Sequence, residues 1–246
     1  MALKSLLTIK KKISGRDSQG HVSIRHRGGE EKRYLREIDW FRKQFDIKAK
    51  VVSIEYDPNR TADIALLSYE NGSKSYILAT TNLKVDDIII SSENAPIKDG
   101  NCLSLKNIPV GVPIHALSFQ KGKPAQLVKS AGSAAYIQSI DGKKAVVKLP
   151  SGEIRIFNSD STATIGQVCN SNHSNQKLTK AGQSRHRGIR PTVRGVAQNP
   201  HSHPHGGGEG RSSIGMNPKT PWGKSAFKKT RKRKKVSNKL IIKHRT

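Results

Sequence analysis

Between residues 51 and 170 the apolar positions fall into short runs divided by turn residues. Val52, Ile54 and Tyr56 alternate with polar neighbours up to Asp57-Pro-Asn-Arg60, the pattern of one strand face. Ile64–Tyr69 and Ser75–Ala79 flank Asn71-Gly72, a dipeptide that predicts a hairpin turn with two positive φ values. Val85–Ile90 follows, and beyond Gly100 come Cys102–Leu105 and Ile114–Phe119. Tyr136–Ile140 and Ala145–Leu149 surround a second predicted turn at Asp141-Gly142. Glu153–Phe157 follows Pro150-Ser-Gly152, and Thr164–Val168 supplies one more strand. Strands this short at this spacing predict two barrels of about 60 residues each, because closure removes the open edges of a small sheet. A linker is expected near residues 105–125, where Pro109, Pro113, Gly122 and Pro124 gather. No repeat and no long helix is predicted.

The flanks behave differently. Val22 and Ile24 alternate with polar residues, which predicts a short strand before a turn at Gly28-Gly29 bracketed by Arg25, His26 and Arg27. Residues 32–43 interleave Arg33 and Arg36 with Tyr34, Trp40 and Phe41. Rings and cations mixed in this way serve nucleic acid when the rings stack on bases. Large rings more often fill cores, so these are assigned to the folded body with their cations outward. From residue 171 onward all periodicity lapses into Pro, Gly, Asn, Ser, His and cations.

Charge sharpens this division. The chain of 246 residues has a net charge of +27. Residues 1–50 hold 14 Lys or Arg against 6 acids, residues 51–180 hold 14 against 11, and residues 181–246 hold 17 against Glu209 alone. A near-neutral middle between basic ends implies a folded body whose arms require an anionic partner. Alone, the C-terminal segment cannot bury enough apolar surface to offset its ordering entropy, so it is expected to be ordered by that partner. Arginines at 185, 187, 190, 194 and 211 suit phosphate oxygens, which a guanidinium can grip two at a time. The lysine-rich run from Lys228 to Lys235 suits looser phosphate contact. Trp222, after Pro221, is either a stacking anchor or a packing residue.

Other chemistries find less support. His201, His203 and His205 invite a metal-dependent enzyme as the alternative, since imidazole suits zinc or copper. Glu209 is the one nearby acid and no cysteine adjoins them, whereas structural zinc sites usually assemble four ligands. Gly208-Glu-Gly210 has Ser213 where a dinucleotide fingerprint needs its third glycine, and Gly223-Lys224-Ser225 has Pro218 where a phosphate loop needs its first. No base stands paired with a nucleophile, so no catalytic residue, metal or cofactor is expected. Cys102 and Cys169 match no metal or redox spacing and are expected to be small buried hydrophobes. Neither a secretory leader nor a run of about 20 apolar residues is present, so no membrane partner is expected and the cytosol is the default compartment, an organelle staying open.

Longer stretches carry a resemblance. Arg25-His-Arg-Gly-Gly29, Ile54-Glu-Tyr-Asp-Pro-Asn-Arg60, Lys129-Ser-Ala-Gly132, Leu149-Pro-Ser-Gly-Glu153, Arg190-Pro-Thr-Val-Arg-Gly195, His203-Pro-His-Gly-Gly-Gly-Glu-Gly-Arg211 and Thr220-Pro-Trp-Gly223 occur in order along the chain. Together they resemble the universal L-two family of large-subunit ribosomal proteins in its bacterial form. The resemblance implies a mainly β fold: an oligonucleotide-binding (OB) type barrel, then an SH3-like barrel, with long irregular basic N- and C-terminal extensions. The expected divisions are a basic arm at 1–35, the OB-type barrel at 36–108, the SH3-like barrel at 109–175 and the extension at 176–246. It also implies insertion into large-subunit ribosomal RNA near the peptidyl-transferase centre, support for assembly of that centre, and subunit association. Small-subunit RNA and neighbouring ribosomal proteins are further expected partners, and a non-ribosomal nucleic-acid binder is the remaining alternative. The expected RNA contacts are Arg25, His26, Arg27, Arg33, Arg36, Arg60, Arg185, Arg187, Arg190, Arg194, His203, His205, Gly206, Gly207, Gly208, Arg211, Trp222, Lys224, Lys228, Lys229, Arg231 and Arg233. The chain departs from the family pattern at Ser202, where Asp is usual, at His186, where Trp is usual, and at Glu30-Glu31, where Gly-His is usual.

Overall fold

A computed structural model describes residues 3–209, 211–228, 230–232 and 234–245. The chain divides into two compact units. Unit one comprises residues 1–10, 33–177 and 236–246, and unit two comprises 11–32 and 178–235.

Unit one is mainly β, an OB-type barrel followed by an SH3-like barrel. Its strands are β1 (Leu7–Ile9), β2 (Tyr34–Arg36), β3 (Ala49–Glu55), β4 (Ile64–Tyr69), β5 (Lys74–Leu78), β6 (Ile88–Ile89) and β7 (Cys102–Ser104). There follow β8 (Pro113–His115), β9 (Leu117–Ser118), β10 (Ala125–Leu127), β11 (Ala135–Asp141), β12 (Lys144–Lys148), β13 (Ile154–Asn158), β14 (Thr162–Ile165) and β15 (Ile241–Lys243). A four-stranded sheet runs β5-β4-β3-β6, and a seven-stranded sheet runs β15-β13-β12-β11-β8-β14-β7. The pairs β1–β2 and β9–β10 form two-stranded ribbons, and every pairing between these strands is antiparallel.

Strand β4 is apolar nearly throughout because both its faces are covered. Ala65, Leu67 and Tyr69 join Val51, Ile77 and Ile89 on one side. Ile64 and Leu66 join Tyr76, Leu78 and Val168 on the other, with Ile38 and Trp40 packed against them. In β3 the inward positions are Ala49 and Val51; Val52, Ile54 and Tyr56, whose alternation predicted the strand, are the exposed ones. The register also shifts between Val51 and Ser53, a bulge that ends strict alternation. The second core gathers Leu103, Leu105, Ile108, Ile114, Leu117, Ile137, Val147, Phe157 and Ile165.

Three hairpins share one turn. The amides of Tyr69, Leu149 and Thr220 donate to the carbonyls of Ser73, Glu153 and Lys224, while Gly72, Gly152 and Gly223 donate back to residues 69, 149 and 220. Those glycines have φ of 79°, 80° and 75°. This is a three-residue loop with one left-handed position, so Asn71 stays at negative φ, unlike the predicted two-residue turn. The predicted Asp141-Gly142 turn is shifted by one residue. Asp141 pairs with Lys144, and Gly142, at φ 55°, opens a Gly142-Lys143 loop.

Two further expectations change. The stretch 105–125 is no linker, because Leu105, Ile108, Ile114 and Leu117 are buried in the second core. Its strands are only two or three residues long, too short to show a period. Strand β7 also enters the seven-stranded sheet by pairing with β14, although it precedes residue 108. Val22 and Ile24 form no strand; they are 57% and 60% exposed, and a single bridge joins Val22 to Arg16. Cys102 is buried and Cys169 half-buried, both free, and burial raises both thiol pKa values.

His115 is 1% exposed and its Nδ1 lies 2.9 Å from the Gly166 carbonyl. A carbonyl accepts only, so Nδ1 carries the proton. Burial lowers the imidazole pKa from 6.5 to about 4, against the bond to Gly166 and with help from the charge on Arg42. Arg42 itself is nearly buried at φ 54°, with Nη2 2.5 Å from the Gly100 carbonyl. Asp39 holds this turn by accepting the amides of Phe41, Arg42 and Lys43. The unfolded chain takes up a proton at residue 115 below pH 6.5, and the folded chain does so only near pH 4. Stability is therefore expected to fall across that window, by about 3 kcal/mol from this group alone. Denaturant titrations at several pH values should show a shallower decline between pH 6.5 and 4 for His115→Gln than for the wild-type chain.

Candidate nucleic-acid interface

Unit two carries 21 Lys or Arg against four Asp or Glu. Among its described residues only Gly28, Gly188 and His203 are buried. No apolar side chain is among them, so hydrophobic burial does not hold this unit together. Backbone hydrogen bonds and close glycine contacts do.

The first such device is a clasp between residues 26–31 and 186–190. The Gly28 amide donates to the Gly188 carbonyl at 2.9 Å, the Arg190 amide to His26 at 3.0 Å and the Glu31 amide to His186 at 3.1 Å. A short helix, α1 (Ala181–His186), leads into it. Two departures from the family pattern meet here, since His186 Nδ1 lies 3.2 Å from Glu31 Oε1. Arg25, Arg27, Arg185, Arg187 and Arg190 are exposed around the clasp, and His26 is half-buried at φ 60°. His26, Arg185, Arg190 and Pro191 line a shallow pocket whose two guanidinium groups suit an oxyanion.

The second device is the loop 194–208, organised around His203. The ring is 8% exposed and lies over Gly195, where a Cβ would stand 2.6 Å from Nδ1 and Cε1. Glycine is required there by space. The His203 Nδ1 accepts the His205 amide at 3.0 Å. An amide only donates, so the lone pair sits on Nδ1 and the neutral ring carries its proton on Nε2. By the same logic His205 Nε2 accepts the Lys219 amide at 3.0 Å, leaving its proton on Nδ1. The two rings lie 4.8 Å apart and tilted. The Gly206 amide donates to the His203 carbonyl at 2.8 Å, and a Cβ on Gly206 would lie 2.5 Å from the Asn199 carbonyl oxygen. Gly207 and Gly208 both take φ 92°. Both imidazole lone pairs are thus committed to backbone amides, one within the loop and one at Lys219, and a metal would have to break those bonds. The described residues contain no cluster of three His, Cys, Asp or Glu suited to a metal.

The third device is the hairpin 218–226, with Trp222 at its apex and 73% exposed. That settles the sequence ambiguity against a packing role within the chain. Arg194, Arg211, Lys224, Lys228 and Arg231 are exposed in unit two. Lys229 and Arg233 lie outside the described residues.

Arg33, Arg36 and Arg60 belong to unit one and are only partly exposed. Arg33 Nη1 donates to the Pro58 carbonyl at 3.0 Å. Arg36 and Arg60 stand 3.9 Å and 3.2 Å from the carboxylate of Asp57, which is fully buried. The Arg60–Asp57 pair is an ion pair whose Nε is not aligned for a hydrogen bond. Arg60 also lies 4.9 Å from the Trp40 ring centre, and Lys129 lies 4.3 Å from it. These side chains contribute to the packing of the barrel as well as to its positive surface.

The rings divide unexpectedly. Trp40 packs on the core, as predicted, whereas Tyr34 and Phe41 are 48% and 52% exposed. Phe227, 79% exposed between Lys224 and Lys228, repeats the ring-and-cation interleaving of residues 32–43 and was missed.

Comparison with known families adds two matches. Residues 3–91 match the family described as Ribosomal Proteins L2, RNA binding N-terminal domain, and residues 98–223 match Ribosomal Proteins L2, C-terminal domain.

The Gly195–His203 contact can be tested on the chain bound to ribosomal RNA. Gly195→Ala must displace the imidazole and break its bond to the His205 amide. Hydrogen exchange at that amide is expected to accelerate about ten-fold, the worth of roughly one net hydrogen bond. His203→Ala should match it, and unchanged protection in both variants would refute the contact.

Proposed function

We propose that this chain, which belongs to the ribosomal protein L2 family and is a structural RNA-binding protein of the large ribosomal subunit, inserts residues 178–235 among folded helices of the large ribosomal RNA. One observation carries this reading: 21 cations and four acids occupy a unit in which no described apolar side chain is buried. Such a unit gains stability by neutralising the phosphates of a polyanion and releasing the counterions condensed on them. The arginines of the clasp and the loop bind phosphates, and the glycine run Gly206–Gly208 lets the backbone approach RNA closely.

The finer assignments follow from the resemblance of the loop sequence to its family. On this reading the loop 194–211 lies beside the peptidyl-transferase centre, where it supports assembly of that region, and the chain has a role in subunit association through small-subunit RNA and neighbouring ribosomal proteins. The ribosome in question is cytoplasmic, an organelle ribosome being the alternative. The RNA-facing set is the one drawn from the sequence, extended by Phe41 and Phe227. Residues 36–108 and 109–175 act as barrel domains, with β7 and residues 105–108 packed into the second. Residues 1–35 and 176–246 act as RNA-facing extensions apart from β15, which joins the seven-stranded sheet. His203 acts as a loop organiser, and the chain itself performs no catalysis.

Affinity for large-subunit RNA is expected to fall steeply with salt, with a log–log slope of about −0.7 to −0.9 per phosphate neutralised. Replacing residues 178–235 by a short glycine-serine linker, with β15 kept in place, should flatten most of that slope while unit one stays folded. Filter binding over a salt series measures it. An equally steep slope in the deletion variant would contradict the proposal.

A further inference from the structure

The hairpin 218–226 holds an indole where neither its turn nor a core calls for one. Its turn is the one found at Tyr69–Ser73 and Leu149–Glu153. The position before the glycine is Asn71 in the first and Ser151 in the second, small polar residues of the kind turns favour. In the third it is Trp222. The frame is closed by the Thr220 amide on the Lys224 carbonyl at 2.7 Å, the Gly223 amide on Thr220 at 2.9 Å and the Ala226 amide on Pro218 at 2.9 Å, with a bridge between Lys219 and Ser225. Pro221 restricts the backbone one residue before the ring. The side chain is held out by a hydrogen-bonded apex, and yet it is 73% exposed.

A large ring fixed in water needs a partner with a flat apolar face. The surroundings state its charge: Lys219 and Lys224 bracket the apex and both are exposed. A nucleobase flanked by phosphates meets both conditions, whereas an apolar protein pocket meets only the first. Helical RNA hides its base faces, so the face must come from an unpaired nucleotide. We propose that Trp222 is a stacking platform for one unpaired base of the ribosomal RNA, with Lys219 and Lys224 holding phosphates on either side. The inference rests on the RNA-binding reading of the same unit and adds the chemistry of one contact.

Two polyanions separate stacking from charge: a short oligoadenylate, and inorganic polyphosphate, which has no base. Added to the full chain, oligoadenylate should quench tryptophan emission saturably, and polyphosphate should bind without comparable quenching. The quench should vanish in Trp222→Phe, whose remaining Trp40 is packed against the barrel core beside Arg60 and Lys129. Trp222→Ala should weaken oligoadenylate binding about ten-fold. Trp222→Phe should restore most of that affinity, because the ring and not the indole N–H is required. Equal quenching by polyphosphate, or unchanged oligoadenylate affinity in Trp222→Ala, would overturn the platform while leaving RNA binding intact. Failure of oligoadenylate to bind at all would overturn the RNA-binding reading together with it.

Discussion

Mutual repulsion among cations that share no apolar core is the condition to which unit two answers. A segment with 21 positive and four negative side chains is driven apart in water, and ordering each residue costs about 1–2 kcal/mol of backbone entropy. Ordinary domains offset that cost by burying apolar surface; here the buried residues among those described are two glycines and a histidine. What defines the shape is a set of short links donated by backbone amides: Gly28 and Arg190 to the carbonyls of Gly188 and His26, and His205 and Lys219 to the imidazoles of His203 and His205. Each is worth about 1 kcal/mol net. Links of that size select one conformation for a partner to complete, and the negative potential of RNA supplies the rest.

Unit one relieves this condition at both ends of the segment. The chain leaves the barrels after residue 177 and rejoins them at residue 236, where β15 pairs with β13. Arg155 secures the return. It is 8% exposed, stands 5.0 Å and 5.9 Å from the ring centres of Phe119 and Phe157, and donates to the Ser237 carbonyl at 3.5 Å. The basic segment is therefore a closed loop and not a free tail. Fixing both ends removes conformations from the unbound state, so less entropy remains to be lost on docking. The same strand covers the edge of β13, which would otherwise be open to pairing with another chain.

Sequence reasoning succeeded where a local rule determines structure and failed where contacts between distant residues do. Runs such as Ile64–Tyr69 and Glu153–Phe157 were visible because four or more residues establish a strand. Strands β8 and β9 fall in the run Ile114–Phe119, which was read as strand, but the prolines around it also look like linker text until Ile114 and Leu117 are seen in the second core. Val22 and Ile24 show the converse error. Their alternation is real, but no neighbouring strand pairs with it, so the period has no structural consequence. Tyr34 and Phe41 were assigned to a core by the habits of large rings, although the cations beside them carried the better signal. The return of β15 had no local signature, because Ile241–Ile242 becomes a strand only where β13 offers an edge.

The histidine of the glycine-rich loop shows how far geometry can limit chemistry. The resemblance read from the sequence would put an acid before it, and a carboxylate beside an imidazole commonly fixes the tautomer and raises basicity. Here Ser202 occupies that place and is exposed, while its amide donates to the Asn199 carbonyl at 2.8 Å. The tautomer of His203 is determined instead by the His205 amide on Nδ1, and its orientation by the bare face of Gly195. A carboxylate is therefore not needed to hold this ring. A general base must offer a lone pair, and the one on His203 already closes the loop; taking a proton at Nδ1 would release the His205 amide and unseat the backbone that carries Gly206 to Gly208. The arrangement suits a residue whose work is to keep that backbone in shape.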